Sequence, residues 1–239
     1  TVKFPVAFGN SKLNISGSVD TNGKTLISNS GNNGILISGK VKSSGDTEIH
    51  NGFRNDSIPY STGALDITGN IETGANLEIT NHASGVNGLN ITNEGKVSTN
   101  GETKITNHGR DGLNLKDNAD VYSKGYLHMF NDGQKGININ PQANVKGDAN
   151  VFIQNDSVGG VNVKGHTFSK GNTTIESKKG NVVLGDDSTD ENVKADKDVN
   201  INVYDANIWN YARSKGDDNA ILHAKDGAKT LIVAGNNLN

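Results

Sequence analysis

The chain contains no cysteine, three prolines, one methionine and one tryptophan in 239 residues. Without cysteine there is no disulfide scaffold, no zinc ribbon and no thiol nucleophile. Aromatic residues make up 5% and hydrophobic residues 32%, too few for a thick three-layer core. A net charge of −3 argues against a dedicated nucleic-acid binder. No apolar run approaches the roughly 20 residues of a membrane-spanning helix, so membrane insertion is not expected. No segment sustains a 3.6-residue helical period. The chain starts at Thr1, without Met or signal peptide, and reads as an excised piece of a longer protein.

Glycine and asparagine are abundant, with 30 and 36 residues, more than a quarter of the chain. Valine, isoleucine and leucine are spread evenly, unlike the pattern of a disordered segment. Their spacing repeats. Leu13-Asn14-Ile15, Ile35-Leu36-Ile37, Leu65-Asp66-Ile67, Leu89-Asn90-Ile91, Leu113-Asn114-Leu115, Ile137-Asn138-Ile139 and Val161-Asn162-Val163 are one triplet, with starts 22, 30, 24, 24, 24 and 24 residues apart. A second triplet ends in asparagine at Asn29, Asn51, Asn81, Asn107, Asn131 and Asn155, and Ser177 takes that place in the seventh unit. Between the triplets sits a lone apolar residue: Val19, Val41, Ile71, Val97, Val121 or Val145.

Alternation with period two is the signature of a strand with one buried face. Each unit is therefore expected to hold three short strands, separated by Gly/Asn/Asp-rich turns. Three such strands cannot bury their inward face alone, but stacked units share a continuous narrow core. The expected fold is all-β: a single-stranded, right-handed parallel β-helix of about 22–24 residues per rung. At the spacing of paired strands, nine or ten rungs span roughly 45 Å. One domain over residues 1–239 is expected, with regular rungs over 10–181 and irregular rungs over 182–239. Later strands are expected at Val182–Leu184, Val199–Val203, Ile208–Tyr211 and Thr230–Val233, and an edge of a preceding rung within Val2–Phe8.

Several residues stand out as candidates. The asparagine column reads as an internal amide ladder at a turn, a structural role. The second unit carries about six extra residues between Asn51 and Leu65, and insertions in solenoids fall in turns and build binding faces. This one holds Phe53, Arg54 and Tyr60, side chains enriched at recognition hot spots. Tyr204, Trp209, Tyr211 and Arg213 form a second aromatic cluster, suited to stacking on sugars or to covering the end of the stack. His82 and His108 follow the ladder asparagine on adjacent rungs, about 5 Å apart. No further ligand completes a metal set there, and an exposed polar column is the expectation. Asp186, Asp187, Asp190 and Glu191 lack EF-hand spacing and read as a solvated acidic loop. No metal and no cofactor is expected.

Leu13-Asn14-Ile15-Ser16-Gly17, Leu89-Asn90-Ile91-Thr92-Asn93-Glu94-Gly95 and Gly180-Asn181-Val182-Val183-Leu184 resemble, in repeat style, the filamentous-haemagglutinin-like and high-molecular-weight adhesins. These are bacterial exoproteins secreted by the two-partner route, and the resemblance covers most of residues 10–205. Their secretion-domain strings, Asn-Pro-Asn-Leu and Asn-Pro-Asn-Gly, are absent, so the chain resembles a shaft or binding segment. The resemblance implies a secreted or cell-surface location, a dedicated outer-membrane secretion partner, and attachment to host cells or other bacteria. It also implies sugars at Asn-x-Ser/Thr sites; these occur at Asn14, Asn55, Asn90, Asn155 and Asn172, of which Asn14 and Asn90 are expected to face outward and Asn155, in the ladder, to be unavailable once folded.

The main rival is a polysaccharide-degrading β-helix enzyme, which needs two carboxylates across a groove. The outward columns inspected, including Ser28, His50, Thr80, Thr106, Phe130, Gln154 and Glu176, show no such pair, and no nucleophile or phosphate-loop motif occurs. No catalytic residue is assigned. The expected function is non-catalytic attachment, with Arg54, Tyr60 and Trp209 as leading anchors, or a structural shaft without a ligand. A host-surface glycan, a host protein and self-association between bacteria all remain open as partners.

Overall fold

A computed structural model describes residues 2–3, 10–52, 63–83, 87–185, 193–210, 222–224 and 230–234. Their backbone is all strand and turn, with no helix. The strands form three parallel sheets of ten, nine and nine strands, in which each strand pairs with its counterparts one rung before and after. The chain is a right-handed parallel β-solenoid with three strands per turn.

The repeated triplets are the strands of the first sheet, such as Leu13–Ile15, Leu89–Ile91 and Val161–Val163. The lone apolar residue lies within a four-residue strand of the second sheet, as Val121 does in Asp120–Ser123. The second triplet ends a five-residue strand of the third sheet, as in Thr103–Asn107. These long strands have two outward positions, one more than the triplet alone reveals. Beyond residue 181 the structure adds Val193–Ala195 and Leu222–Ala224, two strands hidden in the sequence among polar turns. They continue the second sheet, Val193 pairing with Thr167 and Leu222 with Val193. Val2–Lys3 pairs with Thr25 and Leu26, as the edge of a preceding rung would.

Register is fixed by the core. Leu65, Leu89, Leu113, Ile137 and Val161 stand directly opposite one another on successive rungs. A slip of one residue would turn every such side chain outward. The buried residues form one continuous cluster from Ile15 to Ile208. Ile105, Val121, Met129 and Ile137 are fully buried, and each such side chain contributes about 1.5–3 kcal/mol of transfer free energy. A narrow core of two or three inward residues per strand thus accounts for a folded chain with little hydrophobic content.

Corners absorb the variation in rung length. Asn93-Glu94 and Asp117-Asn118 have φ between 53° and 63°, a left-handed pair at a tight turn that Asn93, Asp117 and Asn118 tolerate by residue type and Glu94 does not. At the opposite corner Gly112 and Gly136 have φ of +81° and +74°. There a Cβ would also sit 2.3 and 2.2 Å from the carbonyl oxygen of the glycine one rung on. Glycine is required at these corners by conformation and by the approach of the next rung.

Candidate ligand-binding surfaces

The inner asparagines are fully buried. Asn51 donates through Nδ2 to Asn81 Oδ1 at 2.8 Å, Asn81 to Asn107 at 2.8 Å, Asn107 to Asn131 at 2.7 Å, and Asn131 to Asn155 at 2.8 Å. Asn51, Asn107, Asn131 and Asn155 also donate to a backbone carbonyl at the corner. Asn107 Nδ2 also donates to Gly109 O, and its Oδ1 accepts from Gly109 N. The column therefore joins rung to rung and holds each corner. Asn29 differs: its Nδ2 donates to Gly31 O and Gly34 O within its own turn. Ser177, at the other end, donates to Gly180 O at 2.6 Å. These residues are enclosed in the rod, where no ligand reaches them.

A second ladder runs along the outside of the first sheet. Asn90 donates to Asp66 Oδ1 at 2.9 Å, and Asn114, Asn138 and Asn162 each donate to the asparagine one rung earlier at 3.0 Å. Its donors point toward lower residue numbers, opposite to the inner ladder. The sequence shows these residues as an outward amide-rich column. Their linkage becomes visible only when the register brings successive amides to hydrogen-bonding distance. Of the Asn-x-Ser/Thr sites, Asn14 is exposed, Asn90 is half-buried and engaged in this ladder, and Asn155 is buried.

His82 and His108 stack with ring centroids 5.3 Å apart and planes at 15°. His50, from the outward face of the preceding rung, adds a third ring 6.4 Å from His82. The sequence hides this neighbour, because His50 precedes its ladder asparagine whereas the other two follow theirs. Asp132 receives His108 Nδ1 at 2.9 Å. Stacked rings present their nitrogens along a line. Among the described residues no group of three or more His, Asp or Glu side chains is placed to hold a metal ion.

Tyr204 and Trp209 are 55% and 38% exposed. Tyr204 follows the strand Val199–Val203, and its N–H donates to Ser177 O. It therefore continues the corner column of His82, His108, Asp132, Asp156 and Lys178. Trp209 pairs with Val183 and Val183 with Asn162, so it extends the outer asparagine column. The two side chains that the sequence groups together belong to neighbouring columns. Phe53, Arg54, Tyr60, Tyr211, Arg213 and the acidic residues Asp186, Asp187, Asp190 and Glu191 lie outside the described residues.

The surface that sequence reasoning missed lies on the third sheet. The earlier outward position of its long strands carries Glu48, Glu78, Lys104, His128 and Phe152 on consecutive rungs. His128 stacks on Phe152 at 4.9 Å and 9°, with Tyr126 and Phe130 at 6.1 and 6.4 Å. Burial lowers the His128 pKa, Gln154 opposes that by hydrogen bonding, and Lys104 lowers it further. At the corner just after the second-sheet strands, Lys170 holds Asp148 below the usual carboxylate range, assisted by the Tyr122 hydroxyl and opposed by desolvation. The signal that finds the missed column is the earlier outward position of a five-residue strand, read at the repeat spacing.

Comparison with family models, with curated proteins and with solved structures finds no match to this chain.

Proposed function

We propose that this chain is a non-catalytic segment of a secreted or surface-displayed bacterial adhesin that attaches cells to a host surface or to other bacteria. The observation that carries this reading is the stack of rungs in strict register, which repeats each outward position along a rigid axis. A rod of that kind suits multivalent contact, where many weak contacts add without any one being strong. The repeat resemblance supports a secreted location and a two-partner secretion route.

The test is saturable binding of the fluorescently labelled chain to host epithelial cells and to a glycan array. A variant with residues 53–61 replaced by a short Gly-containing turn serves as comparison. Binding by the parent chain, lost in the variant at an unchanged melting temperature, supports attachment and assigns the anchors to Phe53, Arg54 and Tyr60. Absence of saturable binding by both proteins overturns attachment. The second reading, a structural shaft, then takes its place. It is favoured by the unbroken 24-residue spacing from Leu65 to Val161, stitched inside and outside by amide ladders.

A further inference from the structure

Two outward columns border a trough on the third sheet. One is the residue just before each long strand: Asp46, Asn76, Glu102 and Tyr126. The other is the first outward position within the strand: Glu48, Glu78, Lys104 and His128. The trough between them has a volume of about 390 Å³, with Thr47, Leu77 and Thr103 between its walls. At its far end the rings of Tyr126 and His128 stand 6.1 Å apart, too close to admit anything between them. His128 is backed by Phe152.

The charge along the trough is uneven. Glu48 is answered by Lys24, and Glu78 only loosely by Lys104, at 3.9 Å. Asp46 accepts one backbone N–H, from Asn76. No ion pair of Glu102 occurs among the described residues, and its charge, second to burial, raises the Tyr126 phenol above its usual value. The lining thus holds four carboxylates against one ammonium. These carboxylates are strung along the axis: Glu48 and Glu78 are direct partners on adjacent rungs, about 4.8 Å apart, and Glu102 lies a rung further. They do not converge as metal ligands. A point cation cannot meet them together, whereas a chain bearing separated cations can.

We propose that this trough binds an extended, arginine-bearing peptide segment of a partner protein, with Glu102 pairing a guanidinium laid against Tyr126 and Asp46 taking a second one. Arginine fits better than lysine because its planar fork meets a carboxylate edge-on while its face covers an aromatic ring. The attachment reading enters only in taking the partner to be another protein.

The test is a fluorescence-anisotropy titration of the full chain with a fluorescein-labelled, N-acetylated peptide of alternating arginine and glycine. The matched lysine-glycine peptide and free spermine serve as competitors. The expected result is saturable, salt-sensitive binding, tighter for the arginine peptide than for either competitor. Glu102→Gln weakens it about fivefold, without a change in melting temperature. Tyr126→Leu narrows the gap between the arginine and lysine peptides. Asp20→Asn with Asp205→Asn removes two exposed charges elsewhere and leaves binding unchanged. Absent saturation overturns the proposal, as does equal weakening by the Asp20/Asp205 variant, or spermine competing as well as the arginine peptide. Attachment to cells without peptide binding overturns this proposal alone. Peptide binding without attachment to cells leaves the trough assignment standing and overturns the adhesin reading.

Discussion

At the scale of the residue, asparagine does two kinds of work in this molecule, separated by burial. Asn107 sits in a dry column, donating to Asn131 and Gly109 and accepting from Asn81. Asn107→Ala leaves groups on three residues unpaired in the interior, and an orphaned buried polar group costs about 1–3 kcal/mol. The expected loss is about 3 kcal/mol or more, read as a lower urea midpoint. Asn138 stands half-exposed in the outer ladder, where water replaces what the amide gave, so Asn138→Ala is expected to cost less than about 1 kcal/mol. Equal losses at the two positions would refute this division. Gly112 is a separate case. Gly112→Ala places a Cβ 2.3 Å from Gly136 O in a backbone with φ of +81°, so strain and a backbone clash add. A loss of about 2 kcal/mol or more is expected, and a melting curve close to that of the parent would contradict it.

At the scale of the element, the long strand of the third sheet is the unit that carries surface chemistry, because it has two outward positions per rung. Thr106 and Phe130 occupy one column, and Lys104 and His128 the other. The second column has a pH consequence. Burial depresses the His128 pKa below its usual value of about 6.5. The unfolded chain therefore takes up its proton first as pH falls, and the folded state loses stability from about pH 6.5 down to the lowered folded value. Above pH 6.5 this contribution is fully present. In His128→Phe, which keeps a ring against Phe152, this part of the acid-side loss should disappear. Urea midpoints of both proteins across pH 7.5 to 5 would check it. Parallel acid limbs in parent and variant would assign the loss to other groups. This column was not legible as a site in the sequence, because its residues differ in type from rung to rung. Glutamate, lysine, histidine and phenylalanine show no periodicity of composition, and only register aligns them.

At the scale of the whole molecule, each rung touches its neighbours above and below through continuous parallel pairing. Stability in such an array is a sum of rung terms and nearest-neighbour terms. A defect should therefore act locally. Val121→Ala, in the middle of the rod and fully buried, is expected to cost about 1–3 kcal/mol. Amide hydrogen exchange should speed up most in the rungs on either side, at Val97 and Val145. Protection of Val199–Val203, several rungs away, should change less. A uniform loss of protection along the chain would show one cooperative unit instead.

The sequence by itself determined the fold class, the three strands per turn, the inward residues of the repeated triplets and the position of the buried asparagine column. It did so because each of these depends on the same residue type returning at a fixed spacing, and packing in a solenoid is nearly one-dimensional. Tertiary structure decided what lies side by side on the outside. It joined His50 to His82 across a 30-residue step between triplet starts. It stitched Asp66 through Asn162 into an outer ladder, and it gathered Asp46, Glu48, Glu78, Glu102, Tyr126 and His128, from four rungs, around one acidic trough with a ring-closed end. Outward residues are free of the packing constraint that makes inward ones repeat, so their chemistry varies along the chain. It acquires meaning only when the pairing of strands sets the rungs in register.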